Sequence, residues 1–308
     1  MKDLDKLLTR KKLKRPYGIF LSGGLDSAIL ANLYTPDTAI SLGYESEGDK
    51  YCELEYAVAV AKNIGIQDHI IIKPERKDVR QDFMNAVNAV GRPINSISLY
   101  SWYKAMERAK DTGIKTWIGG EGADELFGGY TRYIILSIVN ALYNTAELAN
   151  YKPMLDKLFG SVNDLHEKLV DKKAPEFTKH NLIRHIGKWE FENTLPDIVF
   201  MEKQLAKHFG LELVLPFMDK EVKKFALRIP EELRVDGTVT KSFLRDFAVK
   251  ECGLPFDIVY RQSKMGFVSP ILKWLNLEQN YEFDKSKYLK YQREILCLEN
   301  QPEQKPKK

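Results

Sequence analysis

Two glycine-rich segments hold the residue types that could bind and activate a phosphate ester. In the first, Leu21-Ser22-Gly23-Gly24-Leu25-Asp26-Ser27, a Gly-Gly turn is flanked by two serines and followed by a carboxylate. The apolar run Tyr17 to Leu21 precedes it and reads as a short buried strand, and Ala28-Ile29-Leu30-Ala31-Asn32-Leu33 reads as a helix start. A strand, a glycine turn and a helix N-terminus form an anion site, because the glycines admit close backbone approach and free N–H groups favour phosphate oxygens. Asp26 adds negative charge there, which makes sense if a divalent cation such as Mg2+ lies between them. The second segment, residues 119–130, reads Gly-Gly-Glu-Gly-Ala-Asp-Glu-Leu-Phe-Gly-Gly-Tyr and follows the candidate strand Ile114 to Ile118. Its carboxylates Glu121, Asp124 and Glu125 repel one another unless a cation or an ammonium-like ligand is near.

The pattern Ser-Gly-Gly-x-Asp-Ser resembles the pyrophosphate loop of the N-type ATP pyrophosphatases, which cleave ATP between the α- and β-phosphates. Residues 119–130 resemble the Ser-Gly-Glu-Gly-Ala-Asp-Glu-x-Phe-Gly-Gly-Tyr signature of asparagine synthetases, with Gly119 in place of the leading Ser. Three later segments are similar to the synthetase part of that family. Leu213 to Asp219 follows its Glu-x-Arg-x-Pro-Phe-Leu-Asp pattern without the Arg, since Val214 or Leu215 stands there. Lys241-Ser242-Phe243-Leu244-Arg245 follows Lys-x-x-Leu-Arg, and Lys264 to Pro270 follows Lys-x-Gly-Phe-x-x-Pro. The resemblance spans about residues 16–275. It implies an ATP-dependent amide ligase that activates a carboxylate, L-aspartate first among candidates, as an acyl-adenylate and transfers ammonia to it. It also implies roles: Ser22, Gly23, Gly24 and Ser27 holding the phosphates, Leu21, Leu42, Gly119 and Gly120 bordering adenosine, Asp26 and Asp124 sharing Mg2+, Glu121 accepting a proton from ammonia, and Lys264 and Lys241 as cations for the phosphoryl transition state. Read alone, Lys241 and Arg245 also make an ordinary i,i+4 helix pair.

Positioning these loops calls for an α/β fold. Strand-like segments at 17–21, 39–43, 69–72 and 116–118 alternate with helical periodicity at 53–64, 78–90 and 99–109. That order predicts a doubly wound parallel sheet, with both special loops at the carboxyl ends of strands. The expected organisation is a basic leader at 1–15, an α/β part at 16–130, a mainly helical part at 131–280 and a polar C-terminal tail at 281–308.

Composition adds bounds. The chain has 308 residues, 44% apolar and 29% charged, with a net charge of +4. These are ordinary values for a globular protein. No apolar run suits a membrane span, and the basic runs at 10–15 and 305–308 lack the interleaved aromatics that stack bases, so nucleic acid is not an expected partner. Cys52, Cys252 and Cys297 lack metal-ligand spacing and read as free thiols of a reducing compartment, hence a cytoplasmic location. The five histidines make no metal-ligand motif. Full-length asparagine synthetases open with a glutaminase domain whose N-terminal Cys is the nucleophile, whereas residue 2 here is Lys. The expectation is a stand-alone synthetase domain supplied by free ammonia or by a separate glutaminase subunit. Two other readings stay open: a related ligase acting on a tRNA or DNA base, or on an internal amine to close a lactam, and a non-catalytic binding relative.

Overall fold

The computed structural model describes residues 3–44, 53–142, 182–261, 269–279, 282–283 and 285–297. Short runs of β-branched and aromatic residues form the strands β1 (Tyr17–Phe20), β2 (Thr38–Leu42), β3 (Asp68–Ile72), β4 (Thr116–Ile118) and β5 (Glu212–Val214). They make one five-stranded sheet in the order β3-β2-β1-β4-β5, and every pair is parallel. Four strands lie where periodicity placed them. β5 was not anticipated, because it lies in a half of the chain read as mainly helical; it brings that half into the sheet.

Helices cover both faces, as parallel sheets require. α1 (Leu4–Leu8), α2 (Leu25–Tyr34), α3 (Leu54–Ile64), α4 (Val79–Val90), α5 (Leu99–Asp111), α6 (Ala123–Phe127) and α7 (Thr131–Leu142) are followed by α8 (Leu182–Asn193) and α9 (Leu195–His208). Then come α10 (Lys220–Ala226), α11 (Ser242–Lys250), α12 (Phe256–Val259), α13 (Ile271–Trp274) and α14 (Lys285–Ile295). Side chains alternate across the sheet: Ile19 enters a core with α1, α2, α3 and α11, while Phe20 enters another with α4, α5, α13 and α14.

Segments near both ends of the described chain pack into the fold. Leu4 and Leu8 are buried in the first core, and the Tyr34 hydroxyl donates to the Leu8 carbonyl at 2.7 Å. α14 is docked rather than loose. Gln292, fully buried, accepts from the Ile94 N–H at 2.8 Å and donates to the Ile94 carbonyl at 2.9 Å, and Tyr288 donates to the Ser96 carbonyl at 2.8 Å. No described helix is long and apolar enough to cross a membrane. Cys252 and Cys297 are free thiols, and Cys52 lies outside the described residues.

Candidate active site

The strand order reverses between β1 and β4: β2 and β3 lie to one side and β5 to the other. β1 and β4 pair directly, with Ile19 opposite Ile118, so the loops that leave their carboxyl ends are neighbours. This is the crevice where doubly wound sheets bind ligands.

The first loop is built to a tight tolerance. Gly23 has φ +80°, and a Cβ there would come within 2.7 Å of the Glu53 carbonyl. Only glycine meets both demands. Gly24 caps α2 in extended conformation, which leaves the first N–H groups of that helix turned toward the crevice. The Ser22 and Ser27 hydroxyls lie 3.1 Å apart, Gly24 N–H donates to Ser22 Oγ at 3.2 Å, and Ser27 Oγ donates to the Gly24 carbonyl at 3.1 Å. Leu21 is fully buried; its N–H donates to Ile40 and its carbonyl accepts from Ser41, so it serves as a wall. Leu42 ends the adjacent strand and is half-buried.

The second loop folds against the first. A Cβ on Gly120 would lie 3.3 Å from the Asp26 Cβ, and one on Gly119 would lie 2.9 Å from Leu215. α6 then carries Asp124 inward. From the far end of the chain comes Lys241, just before α11, held at φ 54° with its N–H donating to the Gly128 carbonyl at 3.2 Å. Its ammonium lies 2.6 Å from both Asp26 oxygens and 2.7 Å from Asp124 Oδ1, and Lys241 is 2% exposed. The solvent-facing helix pair is therefore corrected. Lys241 points into the crevice, while Arg245 turns away to donate to the carbonyls of Thr240 and Val259. A Cβ on Gly129 would overlap both Asp124 Oδ1 and the Lys241 side chain. Asp26 and Asp124 thus converge on a single cationic point, a donor set that fits a hard divalent cation once phosphate oxygens complete its shell. Among the described residues no group of three or more His, Cys, Asp or Glu could hold a metal ion.

Glu121 faces Glu202, on α9, which sequence reasoning missed. Glu202 is fully buried, and its carboxyl is held well above the usual carboxylate range by burial first, then by Glu121 and Glu125. Glu125 is also raised by burial, although it accepts from the Tyr130 hydroxyl at 2.6 Å. Two arginines, Arg234 and Arg261, were given no role from the sequence. Arg234 donates to the carbonyls of Leu126 and Ala226, which braces the end of α6, and burial lowers its pKa to about 10. Arg261 pairs with Glu53 behind Gly23 and stacks over Tyr56, and its buried Nη1 has no acceptor among the described residues. Lys264 lies outside the described residues.

With that geometry in place, comparison with known proteins is specific. The family model described as Asparagine synthase matches residues 7–292. "Asparagine synthetase [glutamine-hydrolyzing] 1" of Bacillus subtilis (strain 168) is 26% identical, over 86% of this chain and 48% of its own length. "Putative asparagine synthetase [glutamine-hydrolyzing] 1" of Methanocaldococcus jannaschii is 28% identical, over 75% of this chain and 37% of its own. The chain thus spans about half, or less, of the length of these relatives.

Proposed function

The chain belongs to the asparagine synthase family, and on that premise we propose that it is an ATP-dependent amide ligase acting on a small carboxylate, L-aspartate first. The observation that carries the reading is the meeting of Asp26, Asp124 and Lys241 where the two glycine loops adjoin. That cluster offers opposite charges to one Mg2+ and to one polyphosphate. The loop N–H groups of residues 23–27 and the Ser22 and Ser27 hydroxyls would hold the departing pyrophosphate. Asp26 and Asp124 would hold Mg2+, which when bound neutralises phosphate charge. Lys241, with Lys264 assigned from the sequence resemblance, supplies fixed cations for charge that builds on the α-phosphoryl oxygens.

In this reading a carboxylate oxygen of the substrate attacks the α-phosphorus and the bond to pyrophosphate breaks, leaving an acyl-adenylate. Ammonia then attacks the acyl carbon, AMP departs, and Glu121 accepts the proton lost by nitrogen. Leu21, Leu42, Gly119 and Gly120 would border the adenosine at the strand ends. The relatives' names attach glutamine hydrolysis to longer proteins; for these residues we propose ammonia as the nitrogen donor, free or delivered by a separate glutaminase subunit. The test is a screen of carboxylates with ATP, Mg2+ and ammonium, in which pyrophosphate, AMP and the amide should form together with aspartate. Release of pyrophosphate with a tRNA and with no small carboxylate would overturn the reading in favour of nucleic-acid modification.

A further inference from the structure

One buried acid in this site has no task in the mechanism above. Glu202 sits on α9 with its carboxyl shut away from water, yet no N–H or O–H group of the described residues donates to either of its oxygens. What it meets is another carboxyl, Glu121. Glu202 is closed to water and Glu121 is half-buried, so two ionised carboxylates there would repel with little solvent to screen them, and the arrangement favours a proton held by the pair. The other charged groups that act on Glu202 are Glu125, which repels a second negative charge, and Lys203 on its own helix, which is exposed. A hydrophobic residue would fill such a place at lower cost, since burying an ionisable group without a donor is unfavourable.

We propose that Glu202 is a positioning residue for amide formation: a neutral carboxylic acid that donates its proton in a hydrogen bond to Glu121 and aims the Glu121 carboxylate at the incoming ammonia. This rests on the reading of Glu121 as proton acceptor. In the step itself the nitrogen–carbon bond forms, the carbon–oxygen bond to AMP breaks and one nitrogen proton passes to Glu121. Glu202 keeps its own proton throughout. It therefore has no part in adenylation, and its removal should leave pyrophosphate release in place.

The experiment compares wild type, Glu202→Gln and Glu202→Leu in two measurements. The first is infrared difference spectroscopy, which reads the carbonyl stretch of a protonated carboxylic acid and needs no turnover. At neutral pH wild type should show a buried band that vanishes in Glu202→Gln and shifts in Glu121→Gln. The second is single-turnover quench-flow with aspartate, ATP and hydroxylamine, a nucleophile whose own titration does not overlap the neutral-to-alkaline range. Glu202→Gln retains a donor and should form product within about threefold of wild type, without the alkaline falling limb that ionisation of Glu202 imposes. Glu202→Leu lacks the donor and should slow product formation by about 10- to 100-fold with pyrophosphate release unchanged. If leucine at this position does not fold, the pH profile of Glu202→Gln alone decides. Absence of the infrared band, or equal loss of pyrophosphate release and product in both variants, overturns the proposal. A band that behaves as expected in a protein that activates no carboxylate would instead retire the amide-ligase reading and leave the carboxyl pair standing.

Discussion

At the scale of single residues, the charges nearest the expected phosphates make the sharpest predictions. Asp26→Asn keeps the shape of the loop but removes half of the convergent negative charge. Pyrophosphate release by this variant should be lost at any Mg2+ concentration, and near wild-type turnover at saturating Mg2+ would rule out a role in metal binding. Lys264→Ala should slow pyrophosphate release itself by roughly 100-fold, the scale of a preorganised electrostatic group. Glu121→Gln should still form adenylate in a single turnover and make little amide; equal loss of adenylate in both variants would make Glu121 an electrostatic part of the nucleotide site. Glu202 also makes a prediction about stability. Its carboxyl is raised above the ordinary value of 4.5, so between that value and its folded one the native state holds a proton that the unfolded state has released. Stability contributed by the protonated form is thus present in acid and declines as pH rises above 4.5. Glu202→Gln should flatten that decline, which denaturant midpoints from pH 5 to 8 measure. Asp26, Asp124 and Glu121 were legible because glycines fence them in short, dense motifs. Glu202, Arg234 and Arg261 were not, because a lone charged residue in a helix or polar segment reads as solvated until its burial is known.

At the scale of elements, the site depends on how closely three segments approach. Gly129 is where the end of the second loop passes Asp124 and Lys241, and a methyl group there has no room. Gly129→Ala should cost at least tenfold in pyrophosphate release by displacing one of the two charges, while far-ultraviolet circular dichroism stays that of wild type. α14 gives a contrasting case. Gln292 fastens it to both polar groups of Ile94, on the α4–α5 connection. Gln292→Leu would leave that buried N–H and carbonyl unpaired and should destabilise the fold by roughly 2–4 kcal/mol. Chemical denaturation reads the loss, and catalytic constants per folded molecule should hold. Periodicity located α3, α4 and α5 to within a residue or two, since each carries an apolar face. α1 and β5 escaped it because they lie in segments read as a basic leader and as a mainly helical half, and their assignment comes from what they pack against.

At the scale of the whole molecule, the doubly wound order predicted from alternating strands and helices sets the site, because β1 and β4 become neighbours and their loops must meet. What alternation alone could not supply is the closing group. Lys241 reaches Asp26 across 215 positions of chain. Both acidic loops leave the ribosome long before it does. Until Lys241 is made, the repulsion between Asp26 and Asp124 is unrelieved by this lysine. Contacts of such long range form late, after the loop between them has paid its closure entropy. On the proposed reading, the order of synthesis would delay nucleotide binding until the last third of the polypeptide, when Lys241 arrives.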